Sequence, residues 1–232
     1  MIMPKNLAII PARGGSKRIP RKNIRPFLGK PIISYSIQVA LESHLFDEVM
    51  VSTDEEEIAR IAKEYGAQVP FMRSNETAND YAILADVLNE VLGKYADLGR
   101  KFDNVCCILA TAPLTGTKHL IDGYNKLISS TELMSVYPVV AFSYPIQRCL
   151  QMDTEGVVSM HWPEYMTTRS QDLEVMYHDA GTFYWHNVDM WRKGIYKRGG
   201  IIMPETEVQD IDTEIDWKLA EMKYRLLNGD HE

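Results

Sequence analysis

The chain has 232 residues, of which 45% are hydrophobic and 25% are charged, and its formal net charge is −7 at pH 7. This composition is ordinary for a globular protein of one domain, and the lack of an apolar run of about 18 residues excludes a typical membrane span. An acidic chain with three cysteines and no apolar leader favours a cytoplasmic protein without a disulfide framework. It also lacks the wide basic surface of a nucleic-acid-binding protein.

Strands and helices alternate along most of the chain. Apolar runs predict the strands, while helical apolar spacing and capping residues predict the helices. In chain order the predicted elements are strand 7–10, helix 31–43, strand 48–52, a helix capped by Asp54 and ending near residue 65, strand 67–71, helix 82–95, strand 104–109, helix 117–129 capped by Thr117, strand 134–141, strand 183–185 and helix 213–227 capped by Thr213. This alternation predicts an α/β fold with a doubly wound, mostly parallel, Rossmann-like sheet.

The alternation breaks between residues 143 and 177. Two short segments, 148–152 and 157–162, flank a Glu155-Gly156 turn and predict a hairpin within an irregular segment. Long departures from a compact core often serve function or subunit contacts. We therefore expect one domain over residues 1–232, with 143–177 as an extension for dimerisation or for the substrate pocket.

The first predicted strand runs into a strongly basic loop. Residues 11–23 read PARGGSKRIPRKN, and six of the eight basic side chains in the first 41 residues lie between Arg13 and Arg25, with no acidic residue among these 41. Crowded cations repel one another unless an anion shares the site. Glycines after a strand let backbone N–H groups approach that anion, so the loop predicts a polyphosphate site.

Other functions of a basic loop are less consistent with the sequence. A solvated surface loop or nonspecific contact with nucleic acid is the alternative, but the chain is acidic outside this segment. The loop matches neither the Walker A pattern nor the Gly-x-Gly-x-x-Gly fingerprint, which disfavours a P-loop NTPase and an ordinary NAD enzyme.

A second chemical signal lies near the C-terminus. Asp210 and Asp212 alternate in an extended stretch, which places both carboxylates on one face. Two carboxylates suit Mg²⁺, which completes its coordination with waters and phosphate oxygens. The alternative is that these residues only cap the helix that begins near Thr213.

The motifs together resemble one known family. The segment IPARGGSKRIPRKN, followed by VSTD at residues 51–54 and DIDT at residues 210–213, resembles the acylneuraminate cytidylyltransferases over nearly the whole chain. The resemblance implies a nucleotidyltransferase fold, CTP and Mg²⁺ as requirements, transfer of CMP to the anomeric hydroxyl of a nine-carbon acidic sugar, and release of pyrophosphate. It also implies a homodimer in which Arg148 or Arg169 acts on the partner's site.

The same resemblance assigns roles to individual positions. The implied nucleotide-binding residues are Arg13, Ser16, Lys17, Lys22, Asn23 and Arg73. Lys22 is expected at the α-phosphate and Arg13 at the outer phosphates, where fixed cations stabilise developing charge. Asp210 and Asp212 match the metal pair, and Asp212 is a further catalytic candidate that acts with the metal on the attacking hydroxyl.

Departures from the sialic-acid branch point to a different sugar. Residues 109–113 read LATAP where sialic-acid enzymes carry QPTSP, so the sugar-binding glutamine is missing. The surrounding segments are similar to the bacterial branch that activates pseudaminic acid. The sugar-pocket candidates are Arg169, Gln171, Tyr177, His178 and Asp179. The alternatives are the same reaction on N-acetylneuraminic or legionaminic acid, and a non-catalytic nucleotide-binding module.

Overall fold

The computed structural model describes residues 4–229, so the ends of the predicted domain, residues 1–3 and 230–232, lie outside the described residues. The elements, in chain order, are β1 (Asn6–Pro11), β2 (Pro26–Phe27), β3 (Lys30–Pro31), α1 (Ile33–Glu42), β4 (Glu48–Ser52), α2 (Glu56–Glu64), α3 (Asn75–Ala78), α4 (Leu84–Asp97), β5 (Asn104–Ile108), α5 (Thr117–Ile128), β6 (Ser135–Ala141), β7 (Leu150–Met152), β8 (Val158–Met160), β9 (Tyr177–Asp179), β10 (Phe183–Asn187), α6 (Val188–Arg192), β11 (Arg198–Ile202) and α7 (Glu214–Asn228). Among the described residues, no helix is both long and apolar enough to cross a membrane.

A central sheet organises the molecule. Its strand order is β11-β6-β10-β5-β1-β4, and β9 adds to β6. The strands β4, β1 and β5 are mutually parallel, as are β6 and β11, whereas β10 runs antiparallel to both β5 and β6. The predicted mostly parallel, doubly wound sheet is confirmed, with β10 as the returning strand.

Helices cover both faces because the strands are apolar on both sides. On one face α1, α2 and α5 pack against alternate strand residues such as Ile10 and Trp185. On the other face α4 packs against the intervening residues such as Ile9 and Cys107. Both Cys106 and Cys107 are fully buried, in keeping with their predicted place in a core strand.

Several predicted boundaries are wrong for identifiable reasons. The segment 67–71 is not a strand, because only Gln68 forms a β-bridge, to Met50. Asp54 does not cap α2, whose N-cap is Glu55; the Asp54 side chain instead accepts a hydrogen bond from the backbone N–H of Gly14, at 3.0 Å.

Other helix starts differ by one or two residues. Gly116, not Thr117, is the N-cap of α5. The helix predicted from residue 31 begins at Ile33, since Pro31 belongs to the short β2–β3 hairpin. Thr213 is the N-cap of α7, as predicted, and it forms a reciprocal capping box with Asp216.

The extension 143–177 contains the predicted hairpin in a shorter form. Strands β7 and β8 pair antiparallel, with Leu150 opposite Met160 and Met152 opposite Val158. The short elements β2, β3, α3, α6, β9 and β11 were not predicted, because none of them contains an apolar run or a helical spacing long enough to give a periodic signal.

Candidate active site

A cleft of about 500 Å³ opens where β1 and β5 end. The chain goes from β1 through α1 to β4 on one side, whereas β5 lies on the other side of β1, so this is a topological switch point of the sheet. Ligands bind at such points in open α/β sheets. All six predicted nucleotide-binding residues line the cleft: Arg13, Ser16, Lys17, Lys22, Asn23 and Arg73.

The glycine at the start of the basic loop packs closely against Glu55. A Cβ on Gly14 would lie 2.5 Å from the Glu55 Oε2 atom and 3.2 Å from the Glu55 Cβ atom, so a larger residue would require the Glu55 side chain to move. Asn23 donates from Nδ2 to the Arg13 carbonyl oxygen at 2.9 Å and ties the two ends of the loop together. These contacts hold the loop cations over the sheet edge.

Two of these cations share one carboxylate. Arg13 Nη1 lies 2.9 Å from Asp80 Oδ1, and Lys17 also pairs with Asp80. The hydrogen bond from Lys17 is the main cause of a lowered pKa of Asp80; desolvation opposes it, and the hydrogen bond from Arg13 adds to it. The Asp80 carboxylate therefore occupies the position between Arg13 and Lys17 at which a bound anion is expected.

Arg73 is the buried cation of the cleft. Its side chain donates from Nε to Ser52 Oγ at 3.1 Å and from Nη2 to the Ser52 carbonyl oxygen at 2.6 Å. Burial lowers the pKa of Arg73, and the negative charges of Asp54 and Glu90 oppose that effect. The guanidinium is thus fixed in orientation before any ligand arrives.

The Asp210–Asp212 pair lies beside the basic loop. Arg18 Nη1 is 2.5 Å from Asp212 Oδ2, and Lys22 Nζ is 3.6 Å from Asp212 Oδ1. Lys22 also donates to the Ile211 carbonyl oxygen at 2.5 Å. The residues that come together here are separated by 189 to 194 positions in the chain.

The two carboxylates differ in their surroundings. Burial, and then the charge of Asp212, raise the pKa of Asp210, while Lys22 and Arg18 act in the opposite direction. Asp212, in contrast, forms ion pairs with both cations. The interpretation of Asp212 as a helix cap is wrong, because Thr213 and Asp216 cap α7 and the Asp212 carboxylate faces the loop.

A small apolar cluster explains this convergence. Ile19 of the basic loop and Ile211 of the Asp-x-Asp stretch are buried together with Phe27 and Trp217. Because side chains alternate in extended backbone, burying Ile211 turns Asp210 and Asp212 to the opposite side. The cluster thereby fixes the carboxylates against the cations.

The two carboxylates fit Mg²⁺ better than they fit a metal ion whose ligands all come from the protein. Within residues 4–229, no group of three or more His, Cys, Asp or Glu side chains is placed to hold a metal ion. Two hard oxygen donors beside a cationic cleft match Mg²⁺, which binds through one or two carboxylates together with phosphates and waters.

The predicted sugar-binding residues are only partly brought together. Asp179 lines a second cleft, where its Oδ1 atom accepts hydrogen bonds from the Gly181 N–H and the Tyr184 hydroxyl. The other four, Arg169, Gln171, Tyr177 and His178, line neither this cleft nor the first one. His178 packs its ring against Phe142 at 5.1 Å.

Comparison with known proteins agrees with this geometry. Residues 7–204 match the profile of a family described as Cytidylyltransferase. The chain belongs to the cytidylyltransferase family. Most of the sheet and the whole basic loop fall within the matched region, while the Asp210–Asp212 pair follows it.

Two relatives of this family are similar over almost the entire chain. A pseudaminic acid cytidylyltransferase of Campylobacter jejuni is 43% identical, covering 96% of this chain and 97% of its own. A CMP-N,N'-diacetyllegionaminic acid synthase of Legionella pneumophila is 33% identical, covering 93% of this chain and 94% of its own. Among solved structures, a CMP:2-keto-3-deoxy-manno-octonic acid synthetase complexed with CTP has the same fold, with a TM-score of 0.69, 19% identity, and coverage of 97% and 99%.

Three residues of the site were missed from the sequence. Arg18 lay within the basic loop but had no assigned role, Asp80 lay in a short polar segment, and Tyr184 was assigned only to the returning strand. The density of charge around Arg18 was a usable signal, whereas Asp80 carried none, since its partners are more than 60 positions away.

Proposed function

We propose that the protein transfers CMP from CTP to the anomeric hydroxyl of a nine-carbon acidic sugar, pseudaminic acid, and releases pyrophosphate. The contact between the basic loop and the Asp210–Asp212 pair carries this proposal: the pair does not itself line the cleft, but Asp212 forms ion pairs with Arg18 and Lys22, which do. Similarity to the Campylobacter jejuni enzyme over 96% of the chain supports the choice of sugar. CTP is a cytoplasmic metabolite, so we place the reaction in the cytoplasm.

The cations of the cleft suit the charge that develops in this reaction. Attack of the sugar hydroxyl on the α-phosphorus spreads negative charge over phosphate oxygens, which positioned cations stabilise. We assign Lys22 to the α-phosphate, since its side chain is only 19% exposed and lies next to the carboxylate pair. Arg13 and Lys17 would bind the outer phosphates after releasing Asp80.

Asp210 and Asp212 are the residues that would hold Mg²⁺. When bound, Mg²⁺ supplies charge neutralisation at the phosphate oxygens. Arg18 and Lys22 form ion pairs with Asp212 and hold its carboxylate against the basic loop. A role for Asp212 in accepting the proton of the attacking hydroxyl remains part of the proposal.

We also propose a homodimer formed through the extension 143–177. The hairpin β7–β8 exposes the apolar side chains Leu150, Met152 and Val158. Exposed apolar groups clustered on one small element are typical of a subunit contact. In such a dimer Arg148 and Arg169 are available to the partner's sugar site.

The decisive experiment incubates the protein with CTP, Mg²⁺ and each candidate sugar, and measures pyrophosphate. Release with pseudaminic acid, well above release with N-acetylneuraminic or legionaminic acid, is the expected result. Equal release with legionaminic acid would contradict the choice of sugar, and no release with any sugar would favour a non-catalytic nucleotide-binding module.

A further inference from the structure

One carboxylate of the nucleotide cleft opposes the positive charge of the basic loop. Asp80 lines the same cleft as Arg13 and Lys17. Its two oxygens are divided between these cations, because Oδ1 lies 2.9 Å from Arg13 Nη1 while Oδ2 pairs with Lys17 Nζ. A phosphate group that bound both cations would need the same donors. The Asp80 carboxylate and such a phosphate therefore exclude each other.

The backbone that carries Asp80 is held on both sides by α4. Before Asp80, the Glu90 carboxylate accepts hydrogen bonds from the backbone N–H and the hydroxyl of Ser74, at 2.8 and 3.0 Å. After it, the Asp86 carboxylate accepts a hydrogen bond from the Ile83 N–H at 3.0 Å. A ligand can therefore turn the Asp80 side chain away, but the negative charge stays close to the ligand that displaced it.

The ion pairs of Asp80 are exposed enough to exchange with a ligand. The side chains of Asp80, Lys17 and Arg13 are 43%, 77% and 35% exposed. Exposed ion pairs are weak, so a polyphosphate with several charges can displace a single carboxylate. The displacement still lowers the affinity for that polyphosphate, because the ligand must break these pairs and then lies near a like charge.

This competition is confined to one end of the cleft. Lys22, which we assign to the α-phosphate, pairs with Asp212 and not with Asp80. The two cations that pair with Asp80 are Arg13 and Lys17, which we assign to the outer phosphates. In the proposed reaction those phosphates leave as pyrophosphate. The carboxylate of Asp80 should therefore affect this product more than it affects the CMP group.

We propose that Asp80 competes with pyrophosphate for Arg13 and Lys17, weakens the binding of this product and thereby favours its release. The inference rests on the proposed function, since that function makes pyrophosphate the leaving product. Asp80 acts through the two cations, and its effect is on the affinity of the cleft for the outer phosphates.

Calorimetry with pyrophosphate and with CMP, both in the presence of Mg²⁺, tests this competition without any turnover. Asp80→Asn keeps the size of the side chain and removes its charge. It should bind pyrophosphate roughly 3- to 30-fold more tightly than the wild type, since the ligand no longer has to break two exposed ion pairs. Its affinity for CMP, which has no outer phosphates, should stay close to that of the wild type. A merely structural role of Asp80 would predict a loss of affinity, not this gain.

The conservative variant Asp80→Glu keeps the negative charge and should bind pyrophosphate as the wild type does. Asp122→Asn is the matched control, because Asp122 is a similarly exposed aspartate that pairs with Lys118 of α5 outside the cleft. It should leave both affinities unchanged. If Asp80→Asn fails to fold, Asp80→Ser should show the same gain for pyrophosphate. An unchanged or weaker affinity for pyrophosphate in the folded variant, or an equal gain for CMP, would overturn the inference.

These binding measurements involve no sugar, so they separate the inference from the proposed function. A wild type that releases no pyrophosphate with any sugar would contradict the transfer reaction, whereas tighter pyrophosphate binding by Asp80→Asn would still support the competition. Pyrophosphate release by the wild type, together with no gain of affinity in Asp80→Asn, would overturn the competition and leave the transfer reaction supported.

Discussion

At the scale of single residues, the site depends on a few charges fixed before the ligand binds. Lys22 reaches both the Ile211 carbonyl oxygen and the Asp212 carboxylate, so it touches the two halves of the site at once. Arg73 is held by a hydrogen bond to the Ser52 carbonyl oxygen, and Asp80 forms ion pairs with Arg13 and Lys17. Lys22 and Arg73, held in place in this way, need little reorganisation when charge develops on a phosphate, whereas Arg13 and Lys17 must first release Asp80.

Substitution of Lys22 tests the assignment at the α-phosphate. Lys22→Ala should lower kcat by roughly 10²- to 10³-fold, because it removes a positioned charge at the reacting group. The measurement is pyrophosphate release at saturating CTP. Arg21→Ala is the control, since Arg21 belongs to the same loop but pairs with Glu57 and does not line the cleft. Similar losses in both variants would mean that only the total loop charge matters.

Substitution of Asp210 tests the metal assignment. Asp210→Asn should raise the Mg²⁺ concentration needed for half-maximal activity by about tenfold or more, since an amide oxygen is a weaker ligand than a carboxylate. Titration of activity with Mg²⁺ measures this change. Asp189→Asn, at an exposed aspartate of α6 that pairs with Lys193 outside the cleft, should leave the Mg²⁺ requirement unaltered. A wild-type Mg²⁺ response in Asp210→Asn would argue against the metal pair.

His186 makes a prediction about acid stability. Burial lowers its pKa to about 4 in the folded chain from an ordinary value of 6.5, so the unfolded chain binds the proton first as the pH falls. The contribution of neutral His186 to the free energy of unfolding is therefore fully present above pH 6.5. It decreases by about 3 kcal/mol in total as the pH falls toward 4.

Urea unfolding at several pH values measures this contribution. As the pH falls from 7 to 4, the free energy of unfolding of the wild type should decrease more than that of His186→Gln. A difference that does not depend on pH would show that His186 has a normal pKa in the folded chain.

At the scale of elements, burial of apolar residues determines where the charged ones point. The stretch Asp210–Ile211–Asp212 has no regular hydrogen-bonded structure, yet Ile211 is fully buried beside Ile19 and Trp217. Thr213, which directly follows this stretch, is the N-cap of α7 and is held by its capping box with Asp216. Together these contacts set the direction of both carboxylates.

Truncation of Ile211 tests this coupling. Ile211→Ala should lower the free energy of unfolding by about 2–5 kcal/mol and also raise the Mg²⁺ requirement, because the carboxylates lose their support. Ile211→Val keeps most of the side chain and should cost about 1 kcal/mol with a normal Mg²⁺ requirement. A folded Ile211→Ala protein with unchanged Mg²⁺ dependence would show that the apolar cluster does not position the carboxylate pair.

At the scale of the whole molecule, the extension 143–177 is the part that packs least against the sheet. Its hairpin β7–β8 leaves apolar side chains in solvent, in contrast to the buried strands of the central sheet. In a single chain, the apolar side chains of this hairpin are therefore exposed to solvent, and the proposed dimer would bury them.

Light scattering tests the proposed dimer. The wild type should have about twice the 26.5 kDa mass of one chain, and the double substitution Met152→Glu with Val158→Glu should shift it to the monomer, since charges opposite each other on β7 and β8 oppose burial of this face. Gln151→Glu, at the intervening position, should leave the mass unchanged. A wild type with the mass of one chain would contradict the dimer.

The sequence by itself determined the α/β alternation, the basic loop, the Asp-x-Asp pair and the family. These features are local: strands such as β4 contain a continuous apolar run, residues 49–51, and the six cations of the loop lie within thirteen consecutive residues, 13–25. The tertiary structure alone decided that Asp80 pairs with Arg13 and that Arg18 pairs with Asp212. Those contacts join residues far apart in the chain, where strand order and burial, not neighbouring residues, set the distances.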